Sequence, residues 1–421
     1  MNTLVPQDAY QLINDLVELA TGRQDLKAVD TSSFVSVGET VLRTGYENTL
    51  NALSTMVGRT IFSSRPYRAK LQSLYVSEQR WGLQTRKVTP LRMKPEATQN
   101  WNTQLNPNQL DDGKSVDMYT INKPKAVQLN FYGTQTLQRH ITRFRDQLSP
   151  AFRNEAEFMQ FWDAVMVEFA NETELENEAK TRTALLNYMA GISSMGLYEV
   201  DLVKEYNDTF GTSLTRAQLL TSNLTEFMQF VAAQIPIYSD RLTDMSVNYH
   251  ANITGYEKIG RHTPKSRQKM IMYNPFFKTA QAQVFSSIFN PSYLEIGDFE
   301  GVNYWQSQND PLKISITPNI LDVSTGASKT ATAQVDLPYV LGLLYDEEAL
   351  GVVPQFSYAS TTPFNSAGEY YNMYMHWRFN SYNDFTENGI LFVLGEGGEA
   401  PANRTADPCP DDAPVPKKGA K

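Results

Sequence analysis

Cysteine is all but absent: Cys409 is the only one in 421 residues. That excludes an internal disulfide, a cysteine-ligated zinc and an iron–sulfur cluster together. Histidine is scarce too, and His140, His250, His262 and His376 stand far apart, none in an H-x-x-x-H or H-E-x-x-H pattern. Structural roles are expected for all four. No apolar run approaches the ~20 residues of a membrane-spanning helix. The opening MNTLVPQDAY has no basic stretch leading into an apolar core, so no signal peptide is expected. The five Asn-x-Thr sequons, at Asn171, Asn207, Asn223, Asn252 and Asn403, are then accidental, and the expected setting is a reducing cytosol. A basic excess is also missing: 37 Lys and Arg against 46 Asp and Glu leave a net charge of −9. Coating nucleic acid by bulk charge neutralisation is excluded, but enclosing it without gripping it is not.

What is present is a folded composition, 41% hydrophobic and 20% charged, in a chain long enough for two or three domains. Residues 1–63 read as an arm. Leu12, Leu16 and Leu19 predict a short helix, and Val41, Leu42, Leu50, Leu53 and Met56 a second over Gly38–Val57, joined by an extended polar stretch at Thr31–Val37. Residues 64–133 carry strand signals. Trp81, Leu83 and Thr85 alternate with Gly82, Gln84 and Arg86, and Val127, Leu129 and Phe131 with Gln128, Asn130 and Tyr132. Between them lies a polar excursion, KPEATQNWNTQLNPNQLDDGKS. A loop of roughly twenty residues between paired strands is unusual inside a compact domain, so it is expected to be held by something outside the chain's own core.

The spacing of Leu137, Ile141, Phe144 and Leu148 predicts a helix over Thr134–Leu148. Helical periodicity then runs from Asn154 to about Met189, with Asn154 and Glu157 forming a capping-box pattern. Such a helix would be ~50 Å long, a spine. Gly191 is expected to end it in the left-handed conformation. Thr215 caps a predicted helix through Leu219, Phe227 and Val231, and Pro275 opens another. Strand-like pieces fall at Lys269–Tyr273, Lys313–Thr317 and Tyr339–Tyr345, within an aromatic segment at 369–396, and at the buried-looking Gly389–Gly395. From Gly397 five prolines and no aromatic predict a tail with no core of its own.

No catalytic constellation emerges. Asp112-Gly113-Lys114-Ser115 ends like a phosphate-binding loop, but Asn108 stands where the first glycine belongs. Gly191-Ile192-Ser193-Ser194-Met195-Gly196 is one residue too long for a nucleophile elbow. Glu168, Glu172, Glu174, Glu176 and Glu178 lack the Glu-x-x-His pairs of a di-metal bundle and read as a solvated helix face. Asp298, Glu300 and Asp310 do not match a calcium loop. No cofactor or metal is expected. The basic residues Arg59, Arg65, Arg68, Lys70, Arg80, Arg86, Lys87, Arg92 and Lys94 cluster before and along the loop, with Asp111 and Asp112 on its return. They read either as solvated strand edges or as a docking arm meeting an acidic face such as Glu172 and Glu176 on the spine.

The order of these elements resembles the major capsid protein of tailed phages, most like those of small short-tailed phages. The resemblance rests on VGETVLRTGYENTLNALSTMVGRTIF, on EFMQFWDAVMVEFANETELENEAKTRTALLNYMAGI, on LGLLYDEEALGVV and on YNMYMHWRFNSYNDFTENGILFVLG, and covers roughly residues 35–396. It implies an α+β tailed-phage major capsid fold with an N-terminal arm at 1–63, an extended two-stranded loop with its adjoining strands at 64–133, and a peripheral domain at 134–190 and 356–396. An axial domain would occupy 191–355, and a Pro-rich tail 397–421. The implied function is a non-catalytic shell subunit forming hexamers and pentamers of an icosahedral head that encloses double-stranded DNA, found in the virion and assembled in the host bacterial cytoplasm. The alternative on the same fold is a bacterial protein nanocompartment, and a third reading is an enzyme whose site escapes notice. A portal protein and a decoration or minor capsid protein are implied partners, with no membrane involved. The N-terminus is too short for a cleaved scaffolding segment, so a separate scaffolding protein is expected. Trp101 is the expected anchor in a neighbour's pocket. Lys94 and Lys114 are available for a cross-link, but no catalytic carboxylate beside a partner Asn is identifiable.

Overall fold

A computed structural model describes residues 13–19, 27–29, 31–43, 69–76, 85–91, 114–115, 118–119, 121, 123, 125–132, 134–144, 155–254, 256, 258–284 and 298–398. In chain order, helix α1 covers residues 13–19 and α2 Thr31–Arg43. Strands β1 (Thr85–Pro90), β2 (Ala126–Phe131) and β3 (Gln135–Phe144) precede the long helix α3 (Glu155–Ser194). Next come β4 (Glu199–Asp201), α4 (Leu202–Phe210), α5 (Arg216–Leu219), α6 (Leu224–Thr243), β5 (Gln268–Tyr273) and α7 (Asn274–Val284). The remainder is strand: β6 (Asp298–Val302), β7 (Ile314–Ile316), β8 (Asn319–Leu321), β9 (Ser328–Thr330) and β10 (Val335–Leu337), then β11 (Val340–Asp346), β12 (Leu350–Thr361), β13 (Tyr370–Asn383) and β14 (Gly389–Val393). The chain divides into two compact units, Met1–Leu185 with Leu350–Asn383 and Leu186–Ala349 with Asp384–Lys421.

The first unit is built on an antiparallel sheet ordered β12-β13-β3. Strand β13 alternates strictly: Tyr371, Met373, Met375, Trp377 and Phe379 are buried, while Tyr374, His376 and Arg378 face the other way, half-buried. On that second face Tyr358, His376, Tyr374 and His140 stack in a ladder across the three strands, with ring centroids 4.8, 6.4 and 5.5 Å apart. Both histidines are therefore structural cross-strand partners. Pro354 cannot donate to a ladder, and the pairing of β12 with β13 shifts register there. Inward, Phe379 and Val352 pack with Ala184 of α3, flanked by Tyr75 and Leu137. Lys180 of α3 lies 4.2 Å above the Phe379 ring.

Residues 135–144 form a strand, not the helix expected. The 4-3-4 spacing of their apolar residues fits a helical face, but Leu137, Arg139 and Ile141 also alternate with the exposed Thr136, Gln138 and His140. Ten residue pairs with β13 decide between the two periods. The stretch Thr31–Val37 is likewise helical rather than extended. Phe34 and Val37 are buried three residues apart, and the Ser36 and Thr40 hydroxyls return their protons to the carbonyls of Ser33 and Ser36, which lets hydroxyl side chains sit inside a helix.

The second unit centres on a five-stranded sheet ordered β4-β14-β11-β5-β6. The outer pairs β14–β4 and β5–β6 are parallel, and β11 is antiparallel to both its neighbours. Every residue of β11 and β14 is buried, as sequences do when both faces of a sheet are covered. Leu202, Val203 and Tyr206 of α4 and Phe227, Phe230, Val231, Ile235, Tyr238 and Leu242 of α6 pack on Met270, Met272, Leu341, Leu344, Ile390 and Phe392. Thr215 does cap a helix, with its capping box completed by Gln218, but α5 stops at Leu219 and α6 begins afresh at Leu224. Between them the Thr221 hydroxyl bonds back to the Ala217 carbonyl, which favours termination. The aromatic segment splits: β13 belongs to the first unit, whereas β14 pairs with β11 and β4 in the second.

Helix α3 is 40 residues long, about 60 Å at 1.5 Å per residue. It passes through Gly191, and Gly196 (φ +61°) takes the left-handed turn beyond its end. Gly191 is instead required by packing. A methyl group there would overlap the ring of Phe385, which stacks on Tyr188 at 5.2 Å. Gly191→Ala should therefore destabilise the protein by about 1–3 kcal/mol despite the better helix propensity of alanine. A lower urea midpoint checks this, and an unchanged or higher one would contradict it.

Candidate assembly surface

The surface is best followed from where the loop is rooted. Glu174 of α3 is 1% exposed, and its carboxylate accepts the Ala69 backbone N–H at 2.9 Å. Two residues on, Leu71 is fully buried in the left-handed conformation (φ 63°), a strain that only surrounding contacts can hold. The Tyr75 hydroxyl donates to the Asn177 carbonyl at 3.3 Å, and the Val76 N–H donates to the Val352 carbonyl at 3.0 Å. Segment 69–76 is thus stapled to the spine helix and to β12. Glu174→Leu leaves the Ala69 N–H without its acceptor and should cost about 1–3 kcal/mol, whereas Glu174→Gln, which retains an acceptor oxygen, should cost less. Chemical denaturation of the two variants checks the ranking.

Beyond the root, β1 and β2 pair antiparallel from Thr85↔Phe131 to Pro90↔Ala126, as the alternation in both segments predicts for their cores. At the hairpin's base the Asn380 side chain donates to the Phe131 carbonyl at 3.3 Å, and the Phe131 ring lies 5.4 Å from Tyr382. Farther out the chain leaves its own core. Met118, Tyr119 and Ile121 on the returning limb are 79–83% exposed, and Val88 and Tyr132 are also exposed. Large apolar side chains so close in sequence and so accessible are the mark of a surface that is covered elsewhere. Sequence reasoning passed over them because M-Y-T-I is too short a run to stand out beside a tryptophan.

The acidic stretch of α3 is not a solvated face. Arg139 of β3 pairs with both Glu172 and Glu176, the latter at 2.7 Å. Arg182 binds Glu178 through two of its nitrogens, at 3.0 and 2.7 Å, with both side chains buried. Of the residues expected to meet a neighbour, Glu172 and Glu176 therefore have partners within the chain. Arg65, Arg68, Arg92, Lys94, Trp101, Asp111 and Asp112 lie outside the described residues, as do Trp81, Leu83 and Asn154. Lys114 and Ser115 are exposed, and a turn at 118–119 and then β2 follow them, where a phosphate-binding loop would open a helix. Among the described residues no group of His, Cys, Asp and Glu could hold a metal ion, and no helix is long and apolar enough to cross a membrane.

A spine helix beside a three-stranded sheet, a hairpin rooted on that spine and a separate five-stranded sheet under helices define the fold of a tailed-phage capsid subunit. The same fold occurs in the capsid structure of Staphylococcus phage Andhra, at 9% identity and a TM-score of 0.52, over 79% of this chain and 86% of that one. It occurs again in the head-fiber and inner-core-protein structure of native bacteriophage P68, at 10% identity and a TM-score of 0.50, over 79% and 86%. No curated protein matches the chain in sequence. The model of the Phi29-like phage major capsid protein family matches residues 13–393, and the chain belongs to that family. It is a structural protein of the virion capsid, not an enzyme.

Proposed function

We propose that the chain builds the hexamers and pentamers of an icosahedral phage head that encloses double-stranded DNA. The observation that supports this best is the exposed apolar limb at Met118, Tyr119 and Ile121, carried on a hairpin whose root is fixed while its outer part has no core of its own. Obligate contacts of such shells commonly bury about 2,000–5,000 Å² with an apolar centre. On this reading the first unit supplies the arm, the extended loop and the peripheral domain, and the second unit the axial domain. Arg65, Arg68, Arg92, Lys94, Asp111 and Asp112 set register against the neighbour, and Trp101 joins the apolar limb as an anchor. Glu172, the more exposed of the two carboxylates that Arg139 holds, reaches the neighbour through its open edge, while Glu176 serves the clamp. A net charge of −9 suits a wall that contains DNA without binding it tightly. A separate scaffolding protein, a portal protein and a decoration or minor capsid protein complete the assembly in the host cytoplasm. The test is nuclease treatment of particles purified from cells that make the chain with its head-assembly partners. Protected double-stranded DNA is the expected result, and particles without nucleic acid in every fraction would overturn the proposal.

A further inference from the structure

The second unit holds a buried polar network that the shell reading does not use and on which it does not depend. Its centre is His250, buried in the segment that links α6 to β5. Ring atom Nε2 lies 2.8 Å from the Ile259 carbonyl oxygen, and Nδ1 lies 2.9 Å from Oδ1 of Asn388, in the turn before β14. The Asn388 amide nitrogen donates to the Thr263 hydroxyl at 3.2 Å, and that hydroxyl donates to Asp346 Oδ2 at 2.8 Å. The Asp346 N–H donates in turn to the Asn388 carbonyl at 3.0 Å. Asn388 and Thr263 are fully buried, so each of these bonds lacks water as a substitute.

The chemistry of the donors gives this chain two senses. A backbone carbonyl only accepts, so Nε2 carries a proton in either state. With Asn388 presenting its oxygen, Nδ1 must donate as well, and the ring is an imidazolium at the head of a relay that ends on the Asp346 carboxylate. In the neutral ring Nδ1 accepts, the Asn388 amide makes a half-turn to donate to it, and the Thr263 hydroxyl swings from Asp346 to the amide oxygen. Proton uptake by one ring therefore reverses two hydrogen bonds.

We propose that His250, Asn388, Thr263 and Asp346 form a proton-operated latch, closed with a neutral ring, that ties the 244–263 segment to the 384–388 turn and loosens on acidification. The charged groups around the ring come from three elements: Arg261 on the same segment, Asp384 and Glu387 on the turn, and Asp346 at the end of β11. Arg261 pairs with Glu387 at 2.9 Å and donates to the Thr386 carbonyl at 3.2 Å, so it is a fixed cation. Nearby, burial and then Asp384, Glu387 and Asp346 hold the phenol of Tyr188 protonated. Burial pushes the His250 imidazole below its ordinary value and Arg261 adds to this, against Asn388, the Ile259 carbonyl and Asp384. A folded-state value below the unfolded one, about 6.5, makes stability complete above 6.5 and lost as the pH falls from there through the folded value.

Hydrogen exchange of the full-length protein between pH 7.5 and 5.5, corrected for intrinsic rates, tests the latch. Peptides covering 246–263 and 384–388 include the amides of Ala251 and Thr263, bonded to the Phe385 and Leu242 carbonyls, and these should lose protection by up to about tenfold per pH unit below 6.5. In His250→Gln the dependence should vanish, while His262→Gln, at an exposed ring in the same segment, should keep it. Wild-type protection in these peptides that ignores pH would overturn the proposal, even if His250→Gln fails to fold. So would a slope that survives in a folded His250→Gln.

Discussion

Replacing Met118, Tyr119 and Ile121 together by Asp should leave a folded subunit that no longer forms shells. All three side chains are largely solvent-exposed, so the subunit's own stability should change by no more than surface substitutions usually do, within about 0.5 kcal/mol. Their value lies in the contact that covers them. Burying a side chain of this size contributes about 1.5–3 kcal/mol, and losing three removes roughly 5–9 kcal/mol from each contact by the same measure. Since each 1.4 kcal/mol is about tenfold in affinity, the contact should weaken by at least about a thousandfold. Sedimentation of the variant beside wild type reads the outcome. Shells in normal yield would remove this limb from the interface, and an unfolded variant would show that the limb packs within the subunit.

The second large effect is expected inside the spine. Glu178→Ala should destabilise the first unit by about 3–5 kcal/mol, because Arg182 would be left buried without its carboxylate. Coulomb attraction is not the whole reason. A buried ion pair contributes little net stability against its own desolvation, whereas an uncompensated buried charge is costly. The double variant Glu178→Leu with Arg182→Met should therefore lie within about 1.5 kcal/mol of wild type, since it replaces both charges with apolar groups of similar volume. Urea denaturation of the two variants measures both. A double variant as damaged as Glu178→Ala would mean that the pair itself, and not the orphaned cation, carries the stability.

These residues also mark where the sequence was legible. The spine, β13 and β14 carry long, unambiguous periods, and β1 and β2 alternate through their whole paired length, so their types could be read directly. Strand β3 could not, because its apolar spacing satisfies period 3.6 as well as period 2, and only pairing with β13, more than two hundred residues away, selects the strand. The acidic face of α3 misled for a related reason. Nothing local says that Glu174 will meet Ala69, 105 residues distant, or that Glu172 and Glu176 will share Arg139. A run of carboxylates reads as solvated until its partners are in place. Gly191 was misjudged because a glycine near a helix end has two uses, a left-handed cap or a close approach, and Phe385 on the far side of the sequence determines which. Burial by a neighbouring subunit is harder still to see, and the limb at 118–121 became visible only through its exposure.

The most direct test of the shell reading is electron microscopy of the purified chain, made alone and together with candidate scaffolding proteins. Closed icosahedral shells, or sheets and tubes of hexamers, are the predicted result. A monodisperse monomer or small oligomer under every condition would contradict it.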